Sequence, residues 1–370
     1  MEKFKQYAVI AVFFLFLCGF AIAHFILPDK DFSPSERKPL EQAPELTVDS
    51  ILSGDYFLDA ENYLLDQFPL RAQFLDAKRI LDKNIFLMNS SSGYASVGEH
   101  LTQLSPTLNE DQAEHAVKLF NKILAQYPDF NKAYYTVVPD KNYFLTQINN
   151  QPSLDYDRLL QIADGIQAEK IEIKHLLTLE DFYRTDSHWR QERILPVAEA
   201  LCLAMGVQPA DGDSYRTTTL QGFKGIYYTL TENPPEPEEL IYLRNDAIDN
   251  AIVERLGNNM KTEEMTVYNE ENFNKEFTDS YDVFLDGPES MITIENPNAT
   301  SDKHLIMIRD SFGSSLAPLL IDSYAKITIL DLRYLKSNYF SAVGVDFTDA
   351  DVLFLCSTTM INNAKTLGLF

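Results

Sequence analysis

The sequence predicts a layered α/β fold with a mostly parallel sheet, preceded by an apolar N-terminal helix. Three observations predict it. Apolar strand-like runs alternate with amphipathic helical stretches from about Ser105 to Met205, and again from His304 to the C-terminus. That alternation is the mark of parallel strands joined by helices. The chain has 370 residues, 45% of them hydrophobic, enough for one large domain or two small ones with a true core. Finally, Tyr7 to Leu27 is a nearly continuous apolar run.

The elements follow in order. Tyr7–Leu27 is long enough to cross a bilayer core of roughly 30 Å, and Lys3 and Lys5 before it favour a cytoplasmic N-terminus with an exported body. Two forms fit: an uncleaved anchor, or a signal peptide cut after Ala21-Ile22-Ala23. The run continues past that site through Phe25 and Leu27, which favours the anchor. Cys18 lacks the small residue that should precede a lipoprotein cysteine. Residues 29–50, rich in Pro and charge, read as an extended linker. The body is expected to span 51–370, with amphipathic helices over 51–86 packed on it and a break at Pro69.

Thr107 and Glu110 have capping-box spacing for a helix running to about Gln126. Strands are expected at AYYTVVP (133–139), IEIKHLL (171–177), HLIMI, KITILDL and DVLFLC. Helices are expected over Leu154–Ala168, Trp189–Met205 and Ser314–Tyr324, with a short one at the end. Residues 208–300 are less regular, with strand-like GIYYTL and EELIYL.

Composition removes several functions. A net charge of −24 repels nucleic-acid phosphates, so no nucleic-acid partner is expected. Three cysteines (Cys18, Cys202, Cys356) make no disulfide framework, and no Cys/His cluster has zinc spacing. No metal or cofactor is expected.

Two stretches carry chemistry. In TDSHW, Asp186 and His188 stand two residues apart, next to the only tryptophan, Trp189. On an extended loop, both side chains point the same way. In HLIMIRDSFGSS, Ser311 follows an apolar strand and precedes a helix, where open α/β sheets bind ligands. A serine hydroxyl needs a base, and a neutral imidazole needs an acceptor to fix its tautomer. Each piece has a plainer reading. Asp310 or Ser311 can serve as a helix N-cap, Asp186 can cap the following helix beside an exposed His188, and Trp189 can belong to the core.

Taken in order, the motifs resemble the DHHW-type proteins of the SGNH-hydrolase superfamily, relatives of the exported alginate O-acetyltransferases. The resemblance rests on ENYLLDQFPLRAQF (61–74), VVPDKNYF (137–144), TDSHW (185–189), FKGIYY (223–228), IRDSFGSSLAPLL and ITILDLRYL, ending at Leu335. It implies a three-layer α/β/α domain, with Ser311 as nucleophile, His188 as base and Asp186 as the carboxylate that orients it. It implies O-acetylation of a cell-surface or secreted polysaccharide, with a polytopic membrane acyltransferase supplying the acyl group. Trp189, Lys141, Arg333 and Tyr334 would line the substrate site, the two cations holding an anionic sugar. For the cations the plainer readings are a strand-end turn at Asp140-Lys141 and a surface ion pair between Asp331 and Arg333. The sequence departs from the pattern at Arg309, where glycine is usual, and at Ser187, where the motif's second letter, a histidine, would stand. The Ser311 N–H is the oxyanion donor that the sequence singles out. An esterase using water, and a non-catalytic polysaccharide-binding scaffold, are the competing readings.

Overall fold

The computed structural model describes residues 94–149, 153–228, 234–257, 261–275, 278–299 and 301–367, together with shorter stretches before residue 94. The chain divides into two units, Met1–Ser92 and Gly93–Phe370.

In the first unit, the helix Asp55–Asp66 ends just before Pro69, as the sequence expects. Phe20 stacks on Phe68, and His24 meets the Tyr63 ring edge-on. Within the expected linker, Phe32–Ser33 and Lys38–Pro39 pair as a short antiparallel ladder. Part of the expected Tyr7–Leu27 span lies outside the described residues, as do residues 78–89. Among the described residues, no helix is long and apolar enough to cross a membrane.

The second unit is built on a large sheet. Its strands, in chain order, are β1 (Tyr94–Val97), β2 (His100–Gln103), β3 (Lys132–Val138), β4 (Glu169–Lys170), β5 (Arg216–Phe223), β6 (Glu238–Arg244), β7 (Ile252–Leu256), β8 (Thr262–Met265), β9 (Met291–Glu295), β10 (His304–Arg309), β11 (Lys326–Leu330) and β12 (Asp351–Ser357). Eight of them form the central sheet in the order β8-β7-β9-β11-β10-β12-β3-β4. β11, β10, β12, β3 and β4 are parallel, whereas β8, β7, β9 and β11 pair antiparallel. The sheet is therefore parallel in one half only. For β7 and β8 the cause is local: they are joined by five residues, which permits a hairpin but no crossover helix.

Alternation along the parallel strands feeds two cores. Leu305 and Met307 of β10 and Leu353 and Leu355 of β12 face one side, with α4 (Leu195–Ala204). Ile306, Ile308, Val352 and Phe354 face the other, with α1 (Glu110–Gln126) and α3 (Tyr156–Ala163). Strands covered on both faces are apolar at every position, which is why these runs read so clearly.

Several boundaries differ from expectation. Asn109, not Thr107, caps α1, its side chain accepting from the Gln112 N–H. IEIKHLL is not a strand. Ile171 donates to the Tyr135 carbonyl, and the chain then leaves the sheet into a 3₁₀ turn at Lys174–Leu176. The helix after Trp189 begins only at Leu195, where Pro196 supplies a preset φ. After Ser311 the helix α5 (Phe312–Leu316) passes into 3₁₀ geometry over Ala317–Ser323. GIYY forms a turn, and the strand paired with β6 is β5 instead.

Candidate active site

Ser311 sits immediately beyond β10, at the C-terminal edge of the parallel half. Asp310 fixes the turn: one carboxylate oxygen accepts from the Phe312 N–H at 3.1 Å, the other from the Ser357 N–H at the end of β12 at 2.7 Å. Ser311 occupies the N-cap position without a side-chain capping bond, while Asp310 takes the Phe312 N–H, which leaves the Ser311 hydroxyl for other contacts. Arg309 does not crowd the hydroxyl. Its side chain runs into the interior, fully buried, pairing with Asp331 at 3.4 Å and donating to the Gly287 carbonyl at 3.1 Å. A Cβ on Gly313 would stand 2.7 Å from the Arg309 Cβ, so this arginine needs that glycine above it.

Asp186 and His188 lie on an irregular segment between Phe182 and Trp189, which pair as an isolated antiparallel bridge. The Asp186 carboxylate meets His188 Nδ1 at 2.6 Å, and His188 Nε2 meets Ser311 Oγ at 2.7 Å. Asp186 also accepts from the His188 N–H at 3.0 Å and the Ile226 N–H at 2.9 Å. Its carboxyl pKa falls to about 2: burial works against the charge, and His188 with these two N–H groups outweighs burial. For His188, burial favours the neutral ring, but Asp186, with Asp279 and Asp310, holds its pKa above the ordinary 6.5.

The loop is held by buried polar contacts. Lys141, at the start of α2 (Lys141–Asn149), points its ammonium at four main-chain carbonyls: Leu101 and Tyr183 at 2.7 Å, Arg184 at 2.8 Å and Asp186 at 2.9 Å. Burial lowers its pKa to about 7, opposed by the carboxylates of Asp186 and Glu238. Glu238 accepts from the N–H groups of Arg184 and Thr185. Thr185 Oγ1 accepts from the Gly225 N–H at 3.0 Å, and a Cβ on Gly225 would stand 2.4 Å from the Asp186 Cβ. That close approach gives FKGIYY its role: it braces the back of the TDSHW loop.

The proposed substrate-lining residues fare differently. Lys141 is only 2% exposed and is saturated by carbonyls, so it cannot hold a sugar. Trp189 is wholly buried; its indole N–H donates to the Phe312 carbonyl at 3.1 Å and to Ser315 Oγ at 2.9 Å, tying the histidine loop to the serine turn from beneath. It is a core residue, not a ligand platform. Arg333 grips Asp331 through Nε at 2.9 Å and a terminal nitrogen at 2.6 Å, the ion-pair reading, and it shares that carboxylate with Arg309. Tyr334, on the turn after β11, is 51% exposed, with the Arg333 guanidinium over its ring.

One residue at the site has no signal in the motifs. Tyr281, from the 3₁₀ turn Ser280–Val283, lies parallel to the His188 ring with centroids 3.9 Å apart. Residues 229–300 gave no hint of it, because a single long-range ring contact leaves no periodic pattern. Among the described residues, no cluster of His, Cys, Asp and Glu could hold a metal ion.

No curated protein matches this chain. Residues 173–330 match the DHHW protein family. Among solved structures, a DHHW family protein from Eubacterium siraeum is 21% identical with a TM-score of 0.60, covering 74% of this chain and 93% of that one. PatB1 of Bacillus cereus carrying a sulfonyl adduct is 18% identical with a TM-score of 0.59, covering 74% of this chain and 97% of that one. PatB1 also matches in a second structure, 18% identical with a TM-score of 0.57 over 72% of this chain and 96% of that one. At these identities the likeness is one of fold. In sequence over residues 173–330, and in fold over about three quarters of its length, the chain resembles the DHHW proteins.

Proposed function

We propose that this chain is a membrane-anchored, extracytoplasmic serine O-acyltransferase that acetylates hydroxyls of a cell-surface or secreted polysaccharide. One observation carries the reading: Asp186, His188 and Ser311 are hydrogen-bonded in series at the edge of the sheet. That order of carboxylate, imidazole and hydroxyl is what activates a serine nucleophile. Ser311 Oγ attacks the acyl carbonyl while His188 Nε2 takes its proton. His188 then protonates the departing group of the donor, leaving an acyl ester on Ser311. A sugar hydroxyl attacks that ester, His188 accepts its proton, and Ser311 is regenerated. The Ser311 N–H is the first candidate donor for the oxyanion.

The acetyl group and the polysaccharide come from the resemblance, as does a polytopic membrane acyltransferase as acyl source. The apolar N-terminal run supports membrane attachment. The test is product analysis. The full chain is incubated with p-nitrophenyl acetate and a panel of neutral and uronic-acid oligosaccharides, and the sugars are weighed. An acetylated oligosaccharide supports transfer. Free acetate alone replaces transfer with an esterase, and neither product, from folded protein, favours the binding scaffold.

A further inference from the structure

We infer that Tyr281 is a positioning residue for the base: its ring fixes the plane of the His188 imidazole and stabilises the imidazolium formed during acyl transfer. The inference rests on the function proposed above, and it concerns a residue outside the hydrogen-bonded series.

The geometry is specific. The Tyr281 and His188 rings are 7° from parallel, with centroids 3.9 Å apart. On the His188 ring, Phe312 also packs, at 5.2 Å and 57°. Asp186 takes Nδ1 and Ser311 takes Nε2, so ring contacts and hydrogen bonds together hold the imidazole. Tyr281 is itself held. Its hydroxyl donates to Ser315 Oγ at 2.7 Å, the oxygen that also receives the Trp189 indole N–H, and its ring packs against Phe284. Burial pushes the Tyr281 phenol well above its usual range, so the ring stays neutral. A neutral, electron-rich ring face favours a cation lying over it.

Two consequences follow. A ring held in this way cannot rotate away from Ser311 between the two proton transfers. The stacked phenol also adds to the stabilisation of the charged imidazole. The charged groups acting on His188 are Asp186 from its own loop, Asp279 and Asp282 from the segment that carries Tyr281, and Asp310 from the end of β10. None of these is removed by changing Tyr281, so its effect is separable from theirs.

The experiment compares Tyr281→Phe and Tyr281→Leu with the wild-type full chain. The rate of Ser311 sulfonylation by phenylmethanesulfonyl fluoride is followed against pH, and the His188 imidazole is titrated by NMR. Tyr281→Leu is expected to lower the His188 pKa by about one unit and the plateau rate about ten-fold. Tyr281→Phe, which keeps the ring, should keep the wild-type pKa. Tyr281→Met serves as a second volume-filling variant if Tyr281→Leu does not fold. A His188 titration in the Leu or Met variant that superimposes on wild type overturns the inference. So does a Phe variant shifted as far as Leu, which would assign the effect to the hydroxyl bond with Ser315. The NMR titration reads the pair directly. A wild-type protein that shows the shift on Tyr281→Leu but takes no sulfonyl group would contradict the proposed function alone.

Discussion

The parallel half of the sheet and the loop from Phe182 to Trp189 meet at Ser311, and they are held by opposite means. β3, β10, β11 and β12 are secured by continuous ladders and by apolar side chains on two faces. The loop has one isolated bridge, and is fixed by an ammonium, a carboxylate, a threonine hydroxyl and an indole N–H, all buried. Apolar burial places β10, from whose end the Asp310 carboxylate fixes the Ser311 turn, and buried polar bonds set where Asp186 and His188 stand. Apolar packing tolerates small shifts, because it has no preferred direction. Hydrogen bonds are directional, so the loop's precision depends on each partner being present.

The difference can be broken from the loop side first. Lys141→Met keeps the length of the side chain but removes the ammonium shared by four carbonyls, of which the Arg184 carbonyl keeps the Leu101 N–H. Unmade buried hydrogen bonds of this kind lower stability by about 3–5 kcal/mol in total. Displacing the Asp186 loop by an ångström lowers the rate of Ser311 modification about a hundred-fold. Denaturant titration and sulfonylation kinetics on the same samples measure both, and the rate loss should persist in the folded fraction.

A change in the sheet should give the reverse pattern. Phe354 of β12 is buried and stacks on Phe120 of α1, on the sheet face opposite Trp189. Phe354→Ala lowers stability by about 3–5 kcal/mol, while the folded fraction keeps the wild-type sulfonylation rate. If Phe354→Ala also cripples the folded fraction, the two regions are not separately held.

The smallest effect concerns pH. His188 acts as base when neutral, and its pKa is held above 6.5 by Asp186, Asp279 and Asp310 against burial. The acid limb of Ser311 acylation therefore lies above pH 6.5, and Asp279→Asn moves it to lower pH without abolishing the reaction. Stability runs with the opposite sign. The raised pKa contributes fully below 6.5, and that contribution is lost as pH rises through the folded value.

The sequence is legible where structure repeats. HLIMI and DVLFLC are continuous apolar runs because both faces are covered, and their boundaries match β10 and β12 closely. The pairing of TDSHW with Ser311 is legible through the order of motifs shared with the DHHW-type proteins, since each stretch alone has a plainer reading. Ile171 and Ile173 show why other elements fail: their alternation is that of a strand, yet after one bond to Tyr135 the chain turns out of the sheet. Pro196 stands in the first turn of α4, a start signal that the expected helix from Trp189 does not use. Lys141 reads as a free cation in sequence because nothing local reveals four carbonyls gathered from β2 and the TDSHW loop. Tyr281 and Glu238 are likewise defined only by what the fold brings to them.

The central claim is that Ser311 is an activated nucleophile, and intact-mass labelling tests it most directly. The protein is treated with phenylmethanesulfonyl fluoride beside Ser311→Ala and His188→Ala, and each is weighed and digested. The account predicts a single sulfonyl adduct on Ser311 in wild type, none in Ser311→Ala, and labelling slowed at least a hundred-fold in His188→Ala. Folded wild-type protein that takes no adduct, or takes it equally in Ser311→Ala, would contradict the account.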